Sequence, residues 1–266
     1  MLTASETGAG IVPVGRLERR RRENQGRLLC ELSFRAVCVV RVFYGIPEVI
    51  KGSIPEKTEP CVELWLFRHG YTQYNLQKKY QGRTDLALLE EEKIRIRPLC
   101  GDIFTKDEGD GTLVAYVSPA LRARQTARLL MPWAKQIVIP EFMEMDFGIF
   151  EGRSADEMSE DARYRSWVDS MCEDPVPGGE SRGQFCARVT KRFEELARRA
   201  LREGVRRLVI VAHGGTQMAV MERFGAEKKP YWTWQSAPGG AWTGRIMETA
   251  HGIRIKDCRK IEQGEY

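Results

Sequence analysis

Histidine is the scarcest chemically useful residue in this chain, with three among 266 residues, and the seven cysteines include no C-x-x-C pair. No zinc pattern can be built from them, because no histidine lies at ligand spacing from a cysteine pair. An odd cysteine count without paired spacing also argues against a disulfide framework. Cys30, Cys38, Cys61, Cys100, Cys172, Cys186 and Cys258 therefore read as reduced, mostly buried thiols. A G-x-x-x-x-G-K-[ST] loop is missing, which excludes a P-loop kinase. Long apolar runs are missing too: the stretch Ala36 to Ile50 is broken by Arg41 and Pro47 and is too short to span a bilayer. Met1 to Gly10 has neither the basic start nor the apolar stretch of a secretory leader, so a cytoplasmic protein with no membrane association is expected. A strong charge bias is absent as well, since the net charge is only +5. That balance points toward small anionic ligands and away from a nucleic-acid surface. The one basic run, Arg19 to Arg22, is flanked by Glu18 and Glu23 and reads as a solvated helix face.

What is present is an alternation of strand-like and helix-like segments, in a chain that is 42% hydrophobic and 30% charged. The first 52 residues read as a helix over Gly15 to Leu32, a strand over Val37 to Tyr44, a Gly-Ile-Pro turn and a second extended stretch at Val49 to Gly52. Residues 53–61 carry two prolines and no periodicity, which marks a linker. Beyond it the expected order is strand Val62–Phe67, helix Leu88–Phe104, strand Leu113–Val117, helix Ala120–Leu130 and strand Gln136–Ile139. A helical charged insert Ser154–Cys172 follows, then helix Glu180–Glu203, strand Arg207–Ala212, helix Thr216–Phe224 and two strands within Ala241–Asp257. Such alternation predicts an α/β fold, a three-layer αβα arrangement with a largely parallel sheet and helices on both faces.

Two of the three histidines share one setting. Leu64-Trp65-Leu66-Phe67 runs into Arg68-His69-Gly70, and Leu208 to Ala212 runs into His213-Gly214-Gly215. Parallel strands would place both imidazoles at one sheet edge, where open α/β sheets bind ligands. His251, between Ala250 and Gly252, reads as a surface turn. Arg122 opens the helix after the strand Leu113–Val117, Glu144 follows the strand Gln136–Ile139, and Asn75 begins the helix after His69. Guanidiniums and imidazoles in a water-poor pocket suit a tetrahedral dianion, and a buried carboxyl could protonate a departing alkoxide. Two arginines and a protonated imidazole would also supply charge neutralisation that other phosphoryl-transfer enzymes take from a metal, so no metal or other cofactor is expected. The tract Tyr231-Trp232-Thr233-Trp234 reads as core, with a wall for a flat base as the alternative.

The blocks Arg68 to Asn75, Tyr80 to Asp85, Ser118 to Thr126, Glu144 to Gly152, Pro177 to Ser181 and Ala212 to Gly214 resemble, in order, the motif set of the histidine phosphatase superfamily. The resemblance covers residues 62–266 and implies a phosphoglycerate mutase-like fold. It implies His69 as the nucleophile that becomes phosphohistidine, Glu144 as acid and then base, and His213 as a phosphoryl ligand in catalysis. Arg68, Arg122 and Asn75 are implied as further phosphate ligands; Arg124, two residues from the matched position, reads as exposed or as lying behind those ligands. The chain departs from the pattern at Leu88-Leu89-Glu90-Glu91-Glu92, where relatives usually place a glycine. Mutases of the superfamily resemble Glu-Arg-His-Tyr-Gly at the acid block, and this chain has Glu144-Met145-Asp146-Phe147-Gly148. The blocks look most like the α-ribazole phosphatase branch, which implies α-ribazole 5'-phosphate as substrate, in cobalamin assembly. Other small phosphate esters, phosphoglycerate mutase activity and a non-catalytic phosphoester-binding regulator remain as alternatives. Within residues 1–52, Glu6 to Pro13, Gly26-Arg27-Leu28 and Val40 to Pro47 are similar to the C-terminal part of the cobinamide kinase/cobinamide-phosphate guanylyltransferase family. Without a phosphate-binding loop, this segment is expected to be a truncated, non-catalytic piece.

Overall fold

The computed structural model describes residues 14–43, 46–52, 60–96 and 113–263. It divides into a unit Met1–Thr58 and a unit Glu59–Tyr266. The linker residues 53–59 and the block Glu6 to Pro13 lie outside the described residues.

In the first unit, helix α1 (Arg16–Arg35) is followed by an antiparallel hairpin of β1 (Val39–Phe43) and β2 (Ile46–Lys51). Four consecutive arginines and few apolar positions leave α1 without a buried residue. Lys51 Nζ donates to the Ser33 and Phe34 carbonyls at 3.1 and 2.8 Å, so a cation closes the helix C-terminus where unpaired carbonyls concentrate. The Gly-Ile-Pro turn is corrected here: Ile46 and Pro47 belong to β2, because a strand with one partner tolerates a residue without an N–H.

The second unit is built on a six-stranded sheet in the order β5-β4-β6-β3-β7-β8. Strands β3 (Cys61–Arg68), β4 (Val114–Val117), β5 (Lys135–Val138) and β6 (Arg207–Ala212) are parallel to their neighbours in this set. Strands β7 (Ala241–Thr249) and β8 (Gly252–Ile261) run antiparallel at the other edge. Alternate residues of the two central strands enter opposite cores, which is the pattern of a sheet covered on both faces. Leu64, Leu66, Leu208 and Ile210 pack with Phe185, Val189 and Phe193 of α6 (Arg182–Glu203) and with Met218 and Met221 of α7 (Gly214–Phe224). Trp65, Phe67, Val209 and Val211 pack with Ala123, Ala127 and Leu130 of α4 (Leu121–Leu130). The expected three-layer α/β fold is therefore present, as a mixed sheet that is parallel over four strands.

Several boundaries move for local reasons. A short α2 (Gln73–Leu76) follows β3, and after Asp85 the described helix is only α3 (Glu90–Arg95), with residues 97–112 outside the described residues. The charged insert is not one helix: α5 spans Ala162–Asp169, capped by Asp161, whose carboxylate accepts the Arg163 N–H. Helix α6 begins at Arg182 rather than Glu180, because Ser181 and Gln184 form a capping box. Helix α7 begins two residues earlier than expected, with His213 at its N-cap. Among the described residues the cysteines are not mostly buried: Cys30 and Cys61 are exposed and Cys38, Cys172, Cys186 and Cys258 are half-buried, all free thiols. Among the described residues no helix is long and apolar enough to cross a membrane.

Candidate active site

The site forms at the carboxyl ends of β3, β4 and β6. The register pairs Arg68 with Ala212, so the residues that follow, His69 and His213, come side by side, with ring centroids 5.2 Å apart. Ser118, following β4, joins them through its N–H to the Val211 carbonyl at 3.0 Å.

The imidazoles are fixed in definite tautomers. His69 Nδ1 lies 2.7 Å from the Gly70 carbonyl, which can only accept, so Nδ1 carries the proton and Nε2 presents a lone pair. His213 has the reverse assignment. Arg122 donates to its Nδ1 at 3.3 Å, so Nε2 carries the proton and donates to Ser118 Oγ at 2.7 Å. Burial foremost, then the neighbouring Arg122, lowers both imidazoles well below the usual histidine range and keeps them neutral.

Both guanidiniums are held by backbone carbonyls rather than by carboxylates. Arg122, fully buried, donates to Thr84 O at 2.9 Å and to Gly82 O at 3.0 Å. Arg68 donates to Ser236 O at 2.6 Å. In each, the buried Nε has no partner, leaving a donor for an anion. Burial foremost lowers both guanidiniums from their ordinary value, and Glu144 acts against it.

Glu144 is reached by an irregular segment after β5. Its Oε1 accepts the Met145 N–H at 2.9 Å, and its Oε2 accepts the Gly215 N–H at 3.1 Å in the first turn of α7. Burial raises its carboxyl above the ordinary range, and the two backbone donors and the two arginines only partly oppose that. The Glu144 oxygens need Gly215: a Cβ there would sit 2.2 Å from Oε1. Asn75 lines the same cavity as Arg68, His69 and Glu144, with its Oδ1 held by the Thr72 N–H at 3.0 Å. Arg124 is exposed on α4, and His251 is exposed in the turn between β7 and β8.

Further residues do the holding. Glu151 accepts the Gly82 and Thr84 N–H groups, both at 2.9 Å, and so fixes the loop whose carbonyls grip Arg122. Arg188 donates to the Glu141 and Met143 carbonyls at 2.7 Å and to Glu144 O at 3.1 Å, pinning the segment that presents Glu144. Gln217, fully buried, donates to Leu66 O at 2.9 Å and accepts from Ser236 Oγ at 2.8 Å, which fixes the carbonyl that holds Arg68. Thr126, whose Oγ1 accepts the Gly70 N–H at 3.0 Å, had a readable signal, being one helical turn after Arg122 on the same face of α4. The others act across long sequence separations. Tyr80, Phe147, Trp167, Phe185, Tyr231 and Trp232 line the same cavity, together with the cations Lys79 and Arg182. The aromatic tract is thus divided: Trp234 is core, Tyr231 belongs to the core and also lines the cavity, and the more exposed Trp232 lines it from outside the core.

A model of the histidine phosphatase superfamily (branch 1) matches residues 64–253. The chain belongs to the histidine phosphatase superfamily. The adenosylcobalamin/alpha-ribazole phosphatase of Escherichia coli (strain K12) is 29% identical over 207 residues, covering 75% of this chain and 98% of the relative. Phosphoserine phosphatase 1 of Hydrogenobacter thermophilus is 28% identical over 210 residues, covering 77% of this chain and 96% of the relative. The crystal structure of phosphoglycerate mutase from Thermus thermophilus matches with a TM-score of 0.53 at 32% identity, over 69% of this chain and 92% of that one. Superfamily membership together with the phosphatase relatives makes this chain a phosphatase. The relatives' names differ in the ester they specify.

Proposed function

We propose that this histidine phosphatase is a metal-independent phosphomonoesterase that forms a phosphohistidine on His69, with α-ribazole 5'-phosphate as its leading substrate. The observation that carries the reading is the tautomer of His69: a bare Nε2 in a cavity lined by Arg68 and Glu144, with the buried Arg122 behind it in contact with His213. Nε2 attacks phosphorus and the ester oxygen departs with its bonding pair, taking a proton from the Glu144 carboxyl. Glu144, now a carboxylate, takes a proton from the water that attacks phosphorus and breaks the P–N bond. Arg68, Arg122, His213 and the Asn75 amide hold the phosphoryl oxygens, so these side chains carry the charge that a metal carries elsewhere. Neutral His213 already carries a proton on Nε2 and donates it to a phosphoryl oxygen in place of Ser118 Oγ.

The substrate assignment is supported by the aromatic wall, which suits a leaving group with a flat base, and by the name of the E. coli relative. It is also supported by the similarity of residues 1–52 to a cobinamide kinase/guanylyltransferase segment. We place the enzyme in the cytoplasm, a reading supported by the free thiols. The test is release of inorganic phosphate from α-ribazole 5'-phosphate, phosphoserine and 3-phosphoglycerate, with His69→Ala in parallel. Highest kcat/KM on α-ribazole 5'-phosphate and none in the variant is expected. Preference for another ester overturns the substrate, isomerisation of phosphoglycerate without net release would indicate a mutase, and an active His69→Ala overturns the mechanism.

A further inference from the structure

Behind the nucleophile lies a buried carboxylate that the reaction scheme does not use. Glu90 and Glu91 of α3 are not buried, as suits an acidic helix start, but Glu92 is 1% exposed. Its Oε2 accepts the Tyr71 N–H at 3.0 Å and the Gln263 Nε2–H at 3.2 Å, and its Oε1 pairs with Arg95 at 3.1 Å. A carboxylate so buried is retained only with such partners. Its approach depends on Gly70, where a Cβ would lie 2.7 Å from Glu92 Oε2.

The Tyr71 N–H and the Gly70 carbonyl are two ends of one planar amide. At the carbonyl end, that amide accepts the His69 Nδ1 proton at 2.7 Å. The preceding amide is held separately, by the Gly70 N–H to Thr126 Oγ1 at 3.0 Å. An anionic acceptor on the N–H therefore does two things. It fixes the rotation of the amide plane, and it polarises the amide so that the carbonyl becomes a stronger acceptor.

We propose that Glu92 is a positioning residue for the nucleophile. Through the Gly70–Tyr71 peptide it holds His69 with the proton on Nδ1 and increases electron density at Nε2. The arrangement places a carboxylate and an imidazole in series with a peptide between them. It rests on the reading of His69 as the phosphorylated residue.

The test uses Glu92→Gln, which keeps an oxygen for the Tyr71 N–H but removes the charge, and Glu92→Ala, which removes both. Each variant is measured in the full chain by kcat and KM on a phosphomonoester, by thermal unfolding, and by imidazole ¹⁵N spectra of the unliganded protein. His69→Ala assigns the resonances and is assayed alongside. Expected is a kcat about tenfold lower for Glu92→Ala, the scale of a hydrogen bond to a charged group. A smaller loss is expected for Glu92→Gln, KM should be near wild type in both, and the His69 Nδ1–H resonance should move upfield. Wild-type kcat in both variants with an unmoved His69 spectrum overturns the proposal. So does a loss in Glu92→Ala that tracks only the folded fraction while the spectrum stays unchanged. If His69→Ala retains activity, the phosphohistidine reading fails instead, and the ¹⁵N spectra alone then decide whether Glu92 sets the tautomer.

Discussion

Replacing Glu144 with glutamine separates the two chemical steps. The carboxylate accepts one backbone N–H on each oxygen, from Met145 at 2.9 Å and Gly215 at 3.1 Å. A carboxamide can satisfy one of them and turns its own NH₂ toward the other. Loss of a charge-assisted hydrogen bond in a buried place costs roughly 1.5–3 kcal/mol. Relief of the burial that raises the Glu144 carboxyl works in the opposite direction, so the net change in stability should be at the low end. For a domain of this size that is a fall of roughly 2–6 °C in Tm. Loss of a general acid costs roughly 10² to 10⁴ in rate, a larger effect than the stability change can produce. The assay compares an alkyl phosphate with p-nitrophenyl phosphate. The alkyl ester should show the full loss, because its alkoxide needs the proton, whereas nitrophenolate leaves without one. The second step still lacks its base, so p-nitrophenyl phosphate should give a burst of about one nitrophenolate per enzyme followed by slow turnover. Equal losses on both substrates with no burst would refute the assignment of Glu144 to proton transfer.

Gly215→Ala should abolish activity while leaving most of the fold, since its Cβ would meet Glu144 Oε1 at 2.2 Å and Phe185 Cζ at 2.9 Å. Steady-state kinetics with circular dichroism checks this, and near-wild-type kcat would contradict it. The pH dependence of stability has a definite sign. Burial holds His69 and His213 neutral, so the unfolded chain binds more protons below the ordinary histidine value and stability falls as pH drops through about 6.5. Denaturant unfolding between pH 5 and pH 7 should show a shallower slope in His69→Ala than in the wild type; an equal or steeper slope would refute it. Trp232→Ala, which shortens a side chain that lines the cavity and is 45% exposed, should raise KM for an aromatic leaving group and leave kcat on a small alkyl ester unchanged. Unchanged KM for the aromatic ester would remove that wall from substrate binding.

Legibility in the sequence followed range of contact. Apolar strands that end in His-Gly announce themselves locally, and their parallel pairing follows from the intervening helices, so the meeting of His69 and His213 was readable from residues alone. Helix starts were misplaced where a cap competes with charge: Glu180 looks helical, yet it serves Arg188 and the Asp146 N–H while Ser181 caps α6. The residues that hold the site were illegible because their partners lie far along the chain. Glu151 serves Gly82 and Thr84, Gln217 serves Ser236, and Arg188 serves Glu144. Glu92 was hidden differently, inside an acidic run whose first two members are solvated.

The most direct measurement is the position of phosphate on the trapped enzyme. Nδ1 of His69 is occupied by its bond to Gly70 O, so only Nε2 is open to phosphorus. Enzyme quenched during turnover of a phosphate ester should carry an acid-labile, alkali-stable adduct, mapped to His69 by peptide analysis and assigned to Nε2 by ³¹P spectroscopy. Phosphate on Nδ1, on another residue, or no adduct in an enzyme that turns over would contradict the account.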